Sequence, residues 1–467
     1  MTELHTMSAT ELARLVRQRT LSATEVAKSA LARIASRNAE VNAFTEVTET
    51  RALADAAAVD AKIARGDDPG MLAGVPFAAK NLFDITGTVT LAGSKIEQRR
   101  APAAKDAFAV ARWHEAGAVC LGALNMDEYA YGFTTENSHY GACHNPHDLT
   151  RIAGGSSGGS GAAVAAGLAQ ISLGTDTNGS IRVPASVNGI FGIKPTYGRL
   201  SRGGSVLFCP SLDHIGPFAR STADLAVAYD SLQGDDPHDH AQAARPVERV
   251  LRTLSTGIGG MRTARLVGHF EEHGTREVQN AATTVAQALG VAAHVELPDA
   301  AAARAAAFLI TSAEAAQMRL PDLRTRPDDF EPLSRDRMLA GAMIPAQWLL
   351  HAQRVRAVFR DQAWDLFRNW DILIAPATPT VATPIGQDWL EIEGERTPLR
   401  PSFGVYTQPI SCIGLPVLTV PIQNADGRLP VGIQLIGAPW TESLLFRAAA
   451  VLEEAGICAA PVAPNFQ

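Results

Sequence analysis

The sequence predicts an α/β fold: a single large domain with a mixed β-sheet core covered by helices on both faces. Three observations predict it. Short apolar runs such as AVCLGAL, QISLG and DILIAPAT alternate with Ala-rich helical segments, which is the pattern of helices layered on a buried sheet. Hydrophobic residues make up 46% of the 467 and charged residues 19%, enough apolar surface for a sizeable core. No tandem repeat or low-complexity tract divides the chain.

The elements follow in order. Residues 1–65 read as helical, with two Ser-x-x-Glu capping boxes at Ser8/Glu11 and Ser22/Glu25. Leu31 and Ile34 continue the second apolar stripe, and ALADAAAVDAKIAR supplies a further helix. A core region over about 70–220 begins with AGVPFAAKNLF, a strand or loop entering the interior. It continues with the helix AFAVARWHEAG, the strand AVCLGAL, the helix SGGSGAAVAAGLA and the strand QISLG. The polar stretch LQGDDPHDHAQAARPVE marks a boundary and a solvated loop. Beyond it, about 235–370 is a more variable helical region, with Ala-rich helix over 275–318 and a long helix in PAQWLLHAQRVRAVFRDQAWDLFRNW. Residues 371–467 return to α/β character with DILIAPAT, PVLTVPI and GIQLIG.

Bulk properties narrow the function. A formal net charge of −7 argues against a nucleic-acid binder that works through a broad basic face. Cys120, Cys143, Cys209, Cys412 and Cys458 are scattered without a CxxC pair, as expected of reduced thiols in a cytoplasmic protein. No apolar run approaches the length of a membrane span, and the charged N-terminus does not read as a signal peptide.

The chemistry concentrates in IAGGSSGGSGAAVAAGLAQISLGTDTNGSIRVPAS, residues 152–186. A phosphate-binding P-loop needs G-x-x-x-x-G-K-[ST], and here Ser160 stands where the lysine belongs. A G-x-S-x-G nucleophile elbow matches literally around Ser156 and Ser157. It should follow a strand, however, whereas HNPHDLTRIA reads as loop, and no histidine is placed to serve it. The third reading treats the stretch as one unit. Gly179 beside Ser180 lets the backbone bend so that successive N–H groups face a developing oxyanion. A serine nucleophile then needs a base, and a desolvated lysine suits, because burial leaves the amine neutral. Lys80, framed by small and apolar residues in GVPFAAKNLFD, is that candidate.

The set GVPFAAK, GGSSGGSGAAVAAG, GTDTNGSIRVPAS and GIKPTYGRLS resembles the amidase signature family, and the similarity runs through GLPVLTVPI and GIQLIG near the C-terminus. The resemblance implies the amidase signature fold and a Ser–cis-Ser–Lys triad. Ser180 is then the nucleophile, Ser156 the serine at a cis peptide and Lys80 the base. Backbone N–H groups of Thr177, Asn178, Gly179 and Ser180 would form the oxyanion hole. The family usually carries two glycines before the nucleophile, and the first is Asn178 here. Asn tolerates the φ > 0 that such a position can require. The family implies no metal and no cofactor.

Other groups receive structural readings. Ser157 and Ser160 are loop and helix-cap hydroxyls, and Asp176 with Arg182 is an ion pair holding the nucleophile loop. Asp235, Asp236, His238, Asp239 and His240 form a solvated loop that matches no metal motif, and His144 and His147 are read the same way. Trp364, Trp370 and Trp389 are packing residues.

The substrate is read from two segments. NMDEYAYGFTTENSHYGACHNPHD resembles the loop that lines the acyl pocket in amidotransferase relatives of the transamidosome and in their hydrolase kin. It implies that Ala130, Tyr131, Gly132 and Phe133 face the site, where Tyr131 and Phe133 are bulky enough to shorten it. Arg337, in an R-x-x-x-G pattern, resembles the arginine that holds a substrate carboxylate in glutamine-using relatives. Those relatives hold the substrate amino group with an acid, and PSFGVYTQPISCIGLP contains none. That absence points to a small acid lacking an ammonium. The further resemblance of TLAGSK, AYGFTTEN, TDTNGSIRVPAS, SRGGS and WDILIAPATP to ammonia-releasing hydrolases of the family implies a small carboxylated urea or biuret-type amide as substrate. The alternatives are the glutaminase A subunit of an aspartyl/glutamyl-tRNA amidotransferase, or a hydrolase of another small amide. Hydrolases of this kind imply homodimerisation and a small companion subunit, with nucleic acid as a partner only on the amidotransferase reading.

Overall fold

The computed structural model describes residues 3–291, 293–392, 394–423 and 429–467. Its centre is an 11-stranded sheet. In chain order the strands are β1 (Phe44–Val47), β2 (Pro76–Lys80), β3 (Val119–Leu124), β4 (Ile171–Asp176), β5 (Phe191–Lys194), β6 (His214–Ala219), β7 (Thr263–Leu266), β8 (Ala293–Val295), β9 (Ile372–Pro376), β10 (Val417–Ile422) and β11 (Val431–Gly437). Across the sheet they run β1-β3-β2-β4-β6-β5-β10-β11-β9-β7-β8. β2 is parallel to both β3 and β4, whereas β4–β6, β6–β5 and β5–β10 are antiparallel, so the sheet is mixed. Every residue of β2, β3, β4 and β6 is buried. That is why AGVPFAAKNLF and AVCLGAL, which contain β2 and β3, read as mainly apolar runs and not as an alternation.

Helices pack around this sheet as predicted, including Gly158–Ala165 after the glycine cluster and Ala346–Phe367 in the long amphipathic segment. The capping box at Ser22 is complete. Ser22 Oγ accepts from Glu25 N at 3.1 Å, and Ser22 N donates to the Glu25 carboxylate at 2.8 Å. At Ser8 only half of the box forms, because Glu11 turns to Arg14 at 2.7 Å, a charge-assisted partner stronger than a backbone amide.

Several expectations are corrected. The helical reading of residues 1–65 hides β1, which pairs with β3 at the sheet edge. The region 275–318 is two helices, Arg276–Ala288 and Ala300–Thr325, with the three-residue β8 between them. HNPHDLTRIA is a small antiparallel ladder, His144–Asn145 against Asp148–Ile152, outside the main sheet. The loop at 232–248 is solvated only in part: Asp235, His238 and His240 are exposed, whereas Asp236 accepts from Ser201 and Asp239 pairs with Arg202 at 2.8 Å. Ser157 and Ser160 cap nothing. Both bond to the strand beneath, at Thr175 O (3.2 Å) and Leu173 O (2.9 Å). Trp370 packs on the core, while Trp364 and Trp389 lie exposed under Arg360 and Arg396. No helix among the described residues is long and apolar enough to cross a membrane.

Candidate active site

The sheet register brings the chemistry together. β2 and β4 are parallel neighbours, with Phe77 opposite Ile171 and Ala79 opposite Leu173. The end of β2, which carries Lys80, therefore lies beside the end of β4, from which the loop to Ser180 departs. In mixed and parallel α/β sheets the carboxyl ends of strands are where sites form. The helix Gly158–Ala165 packs on β4, and Ser156 stands just before it. The peptide between Gly155 and Ser156 is cis.

Lys80 is fully buried, and its Nζ lies 2.6 Å from Ser156 Oγ and 2.9 Å from Thr175 Oγ1. Burial pulls its pKa down to about 7, although the carboxylates of Asp127, Asp213 and Asp176 push the other way. Near neutrality a large fraction of this amine is uncharged. Ser180 Oγ makes no hydrogen bond to another described residue, and Ser180 lines a cavity enclosing about 380 Å³ of empty space, part of it open to solvent. No hydrogen bond closes Ser156 to Ser180 in this structure.

The loop that carries Ser180 is clamped from below. Asp176 and Arg182, neither of them exposed, form a two-pronged pair at 2.9 Å and 2.9 Å. Burial alone would raise the Asp176 carboxyl, but the Arg182 guanidinium holds it well below the usual carboxylate range. Asp176 also accepts from Ile181 N at 3.2 Å, and Arg182 reaches Thr407 O, Gln434 Oε1 and Ser411 Oγ. The expected ion pair is therefore the pin of the turn.

At the crest of that turn Gly179 adopts φ +140°, and a Cβ there would fall 2.3 Å from Thr407 Oγ1. Any larger residue would clash and be strained. Asn178 does not share this conformation: positive φ is confined to Gly179 in this turn, so the tolerance of Asn for φ > 0 is not called upon. Asn178 Nδ2 instead donates to Thr311 Oγ1 at 3.0 Å, and the side chain forms part of the cavity wall. The backbone N–H groups of Thr177, Asn178, Gly179 and Ser180 donate to no other group among the described residues.

Three partners of this site are invisible in the sequence. Thr175 is the second contact of Lys80. Asp127 is buried against Gly155, where a Cβ would fall 2.1 Å from its carboxylate, and burial pushes its pKa up. Asp213 accepts from Thr177 Oγ1 at 2.6 Å and from the N–H groups of Phe208 and Cys209, and burial raises it to about 6.

The remaining wall is aromatic and cationic. Tyr131, Gly132 and Phe133 line the cavity as predicted, joined by Phe208 and Phe308. Arg337 lines it too, with its guanidinium 4.0 Å above the Tyr131 ring, and donates to the carbonyls of Leu333 and Tyr131. Burial lowers its pKa. Arg400 is a further lining cation that sequence reasoning missed. Pro401 and Gln408 bring the segment without acids to the same wall. Among the described residues no group of three His, Cys, Asp or Glu is arranged to hold a metal ion.

Comparison with known proteins agrees with this geometry. Residues 25–446 match the Amidase family model. The chain is 53% identical over 437 residues to AtzE, the 1-carboxybiuret hydrolase of Pseudomonas sp. (strain ADP), covering 93% of this chain and 96% of that protein. It is 39% identical to a glutamyl-tRNA(Gln) amidotransferase chain of Anaeromyxobacter sp. (strain K), covering 96% of both. A solved inhibitor-bound structure of an s-triazine catabolic enzyme, described as a vestigial protein complex, superposes with a TM-score of 0.96. It is 51% identical and covers 97% of this chain and 100% of that one. With its mixed sheet and buried lysine–serine contact, the chain belongs to the amidase signature family, hydrolases that act on the carbon–nitrogen bond of amides.

Proposed function

We propose that this protein releases ammonia from a small carboxylated urea or biuret-type amide, with 1-carboxybiuret as substrate and urea-1,3-dicarboxylate as product. The observation that carries the reading is the fully buried Lys80 amine, 2.6 Å from Ser156 Oγ, at the foot of the loop bearing Ser180. In this reading neutral Lys80 accepts a proton from Ser156 while Ser156 takes one from Ser180. Ser180 Oγ bonds to the amide carbonyl, and the oxyanion is received by the N–H groups of Thr177 to Ser180. The carbon–nitrogen bond then breaks, and the proton returns through Ser156 to the departing ammonia. Water, deprotonated by the same relay, cleaves the acyl ester and frees the carboxylate product. The open link between Ser156 and Ser180 is of the kind that tightens when substrate is bound.

Substrate identity is supported by the cationic wall, by the short aromatic cavity, and by the likeness to 1-carboxybiuret hydrolase. Arg337 would hold the carboxylate, while Tyr131 and Gly132 border the acyl group. A small companion subunit belongs to the same proposal, supported by the protein complex described for the similar solved enzyme; homodimerisation and a cytoplasmic location belong to it as well.

The likeness to amidotransferase chains favours a second reading, glutamine hydrolysis for a partner enzyme. A panel of 1-carboxybiuret, biuret, simple ureas and glutamine, scored by ammonia release, separates the two. Release from the carboxylated biuret without tRNA or ATP supports the proposal. Glutamine turnover that depends on a partner, with none from biurets, overturns it.

A further inference from the structure

The catalytic cavity has two arginines and no acid among its lining residues. Arg337 enters from the helix Pro332–Gly341 and Arg400 from the short helix Leu399–Ser402. They are close enough that the charge of Arg400 opposes that of Arg337. Arg337 has no carboxylate partner among the described residues: its bonds go to backbone carbonyls, and it stacks on Tyr131. Arg400 pairs with Glu136 at 3.0 Å through one Nη, while its Nε is buried without a partner. Glu136 is itself engaged by Gly386 N at 2.6 Å. Another acid, Asp127, lies behind Gly132 and Gly155 and does not line the cavity.

Asp127 attracts both guanidinium groups at a distance without bonding to either. A buried donor left unsatisfied and a guanidinium bonded only to carbonyls are both costly unless an anion supplies the missing acceptors. Both side chains are also held before any ligand arrives, Arg337 by its stack and Arg400 by Glu136, so little ordering entropy remains to be lost on binding. The geometry points to Arg400 as a second specificity-determining residue, which grips the substrate carboxylate together with Arg337. The site thereby selects an acyl half that ends in a carboxylate. This rests on the amidohydrolase reading and adds to it a residue that the sequence did not suggest.

The test separates binding from turnover. In a Ser180→Ala background, calorimetric affinities are measured for N-carbamoylglycine, a carboxylated urea, and for propylurea, a neutral one of similar size. Arg400→Gln should lower the affinity for N-carbamoylglycine roughly ten- to hundredfold, the range for a lost hydrogen bond to a charged group, and leave propylurea unchanged. Arg400→Lys should recover part of the loss. Glu136→Gln, which removes the structural partner of Arg400 and keeps its charge, should have the smaller effect.

Three results overturn the inference: equal weakening of both ligands, no binding of N-carbamoylglycine to the Ser180→Ala parent, or a Glu136→Gln loss as large as that of Arg400→Gln. The amidohydrolase reading fails by a different sign. In that case the unmodified enzyme releases no ammonia from carboxylated ureas, whether or not the carboxylate selectivity survives.

Discussion

The two walls of the cavity are built in opposite ways. The wall that Ser180 lines, with Lys80 and Ser156 buried behind it, is made of strand ends, small residues and a buried ion pair. Its shape is set by main-chain positions that no larger side chain could occupy. The facing wall is made of Tyr131, Phe208, Phe308, Arg337 and Arg400, large side chains projected from loops and from helices outside the sheet. The first wall can hold atoms within a fraction of an ångström, which proton transfer requires. The second can change its residues without moving the sheet. One scaffold can thus keep a reaction and exchange its substrates.

Substitutions sharpen this contrast. The largest effect is expected at the proposed nucleophile, Ser180. Ser180→Ala should cut ammonia release by on the order of 10⁴-fold or more while the thermal unfolding midpoint stays put, since its hydroxyl bonds to nothing else among the described residues. Retained turnover would remove Ser180 from the mechanism. The ion pair should answer in stability. Arg182→Met leaves Asp176 buried and unpaired, which costs about 3–5 kcal/mol, measurable by urea unfolding. A loss under about 1 kcal/mol would mean that the turn is not held there. The smallest effect is expected on the facing wall. Arg337→Gln should raise KM roughly tenfold or more for a carboxylated substrate and leave KM unchanged for a neutral amide. Equal shifts for both would blur the distinction between the walls.

The same division explains what could be read from the sequence. The proposed catalytic group was legible because Ser156, Asp176, Ser180 and Arg182 fall within one short stretch, and Lys80 sits in an apolar frame whose burial is visible in composition. Asp127, Asp213 and Thr175 were not legible. Each is an ordinary residue type whose role comes from a distant contact, such as Asp213 reaching back to Thr177. Arg400 was missed for the same reason, because nothing local to Leu399–Ser402 shows that it turns towards Ser180. In the fold, the long apolar runs identified their strands. β1 and β8 were concealed by helix-forming neighbours, and their strand character comes from pairing at the sheet edges. The sequence left open whether Asn178 takes a positive φ, and Gly179 alone takes it in this turn.

The central claim is that the buried amine of Lys80 works uncharged. Its most direct test is the pH dependence of kcat/KM, which reports the ionisation of the free enzyme's base. Burial lowers the Lys80 pKa to about 7, so protonation below that value removes the base. The rate should fall about tenfold per pH unit on the acidic side and level off above about pH 7, and Lys80→Ala should abolish that limb together with most of the activity. A profile flat down to the carboxylate range near about pH 4, or one that rises only towards about pH 10, would contradict the account.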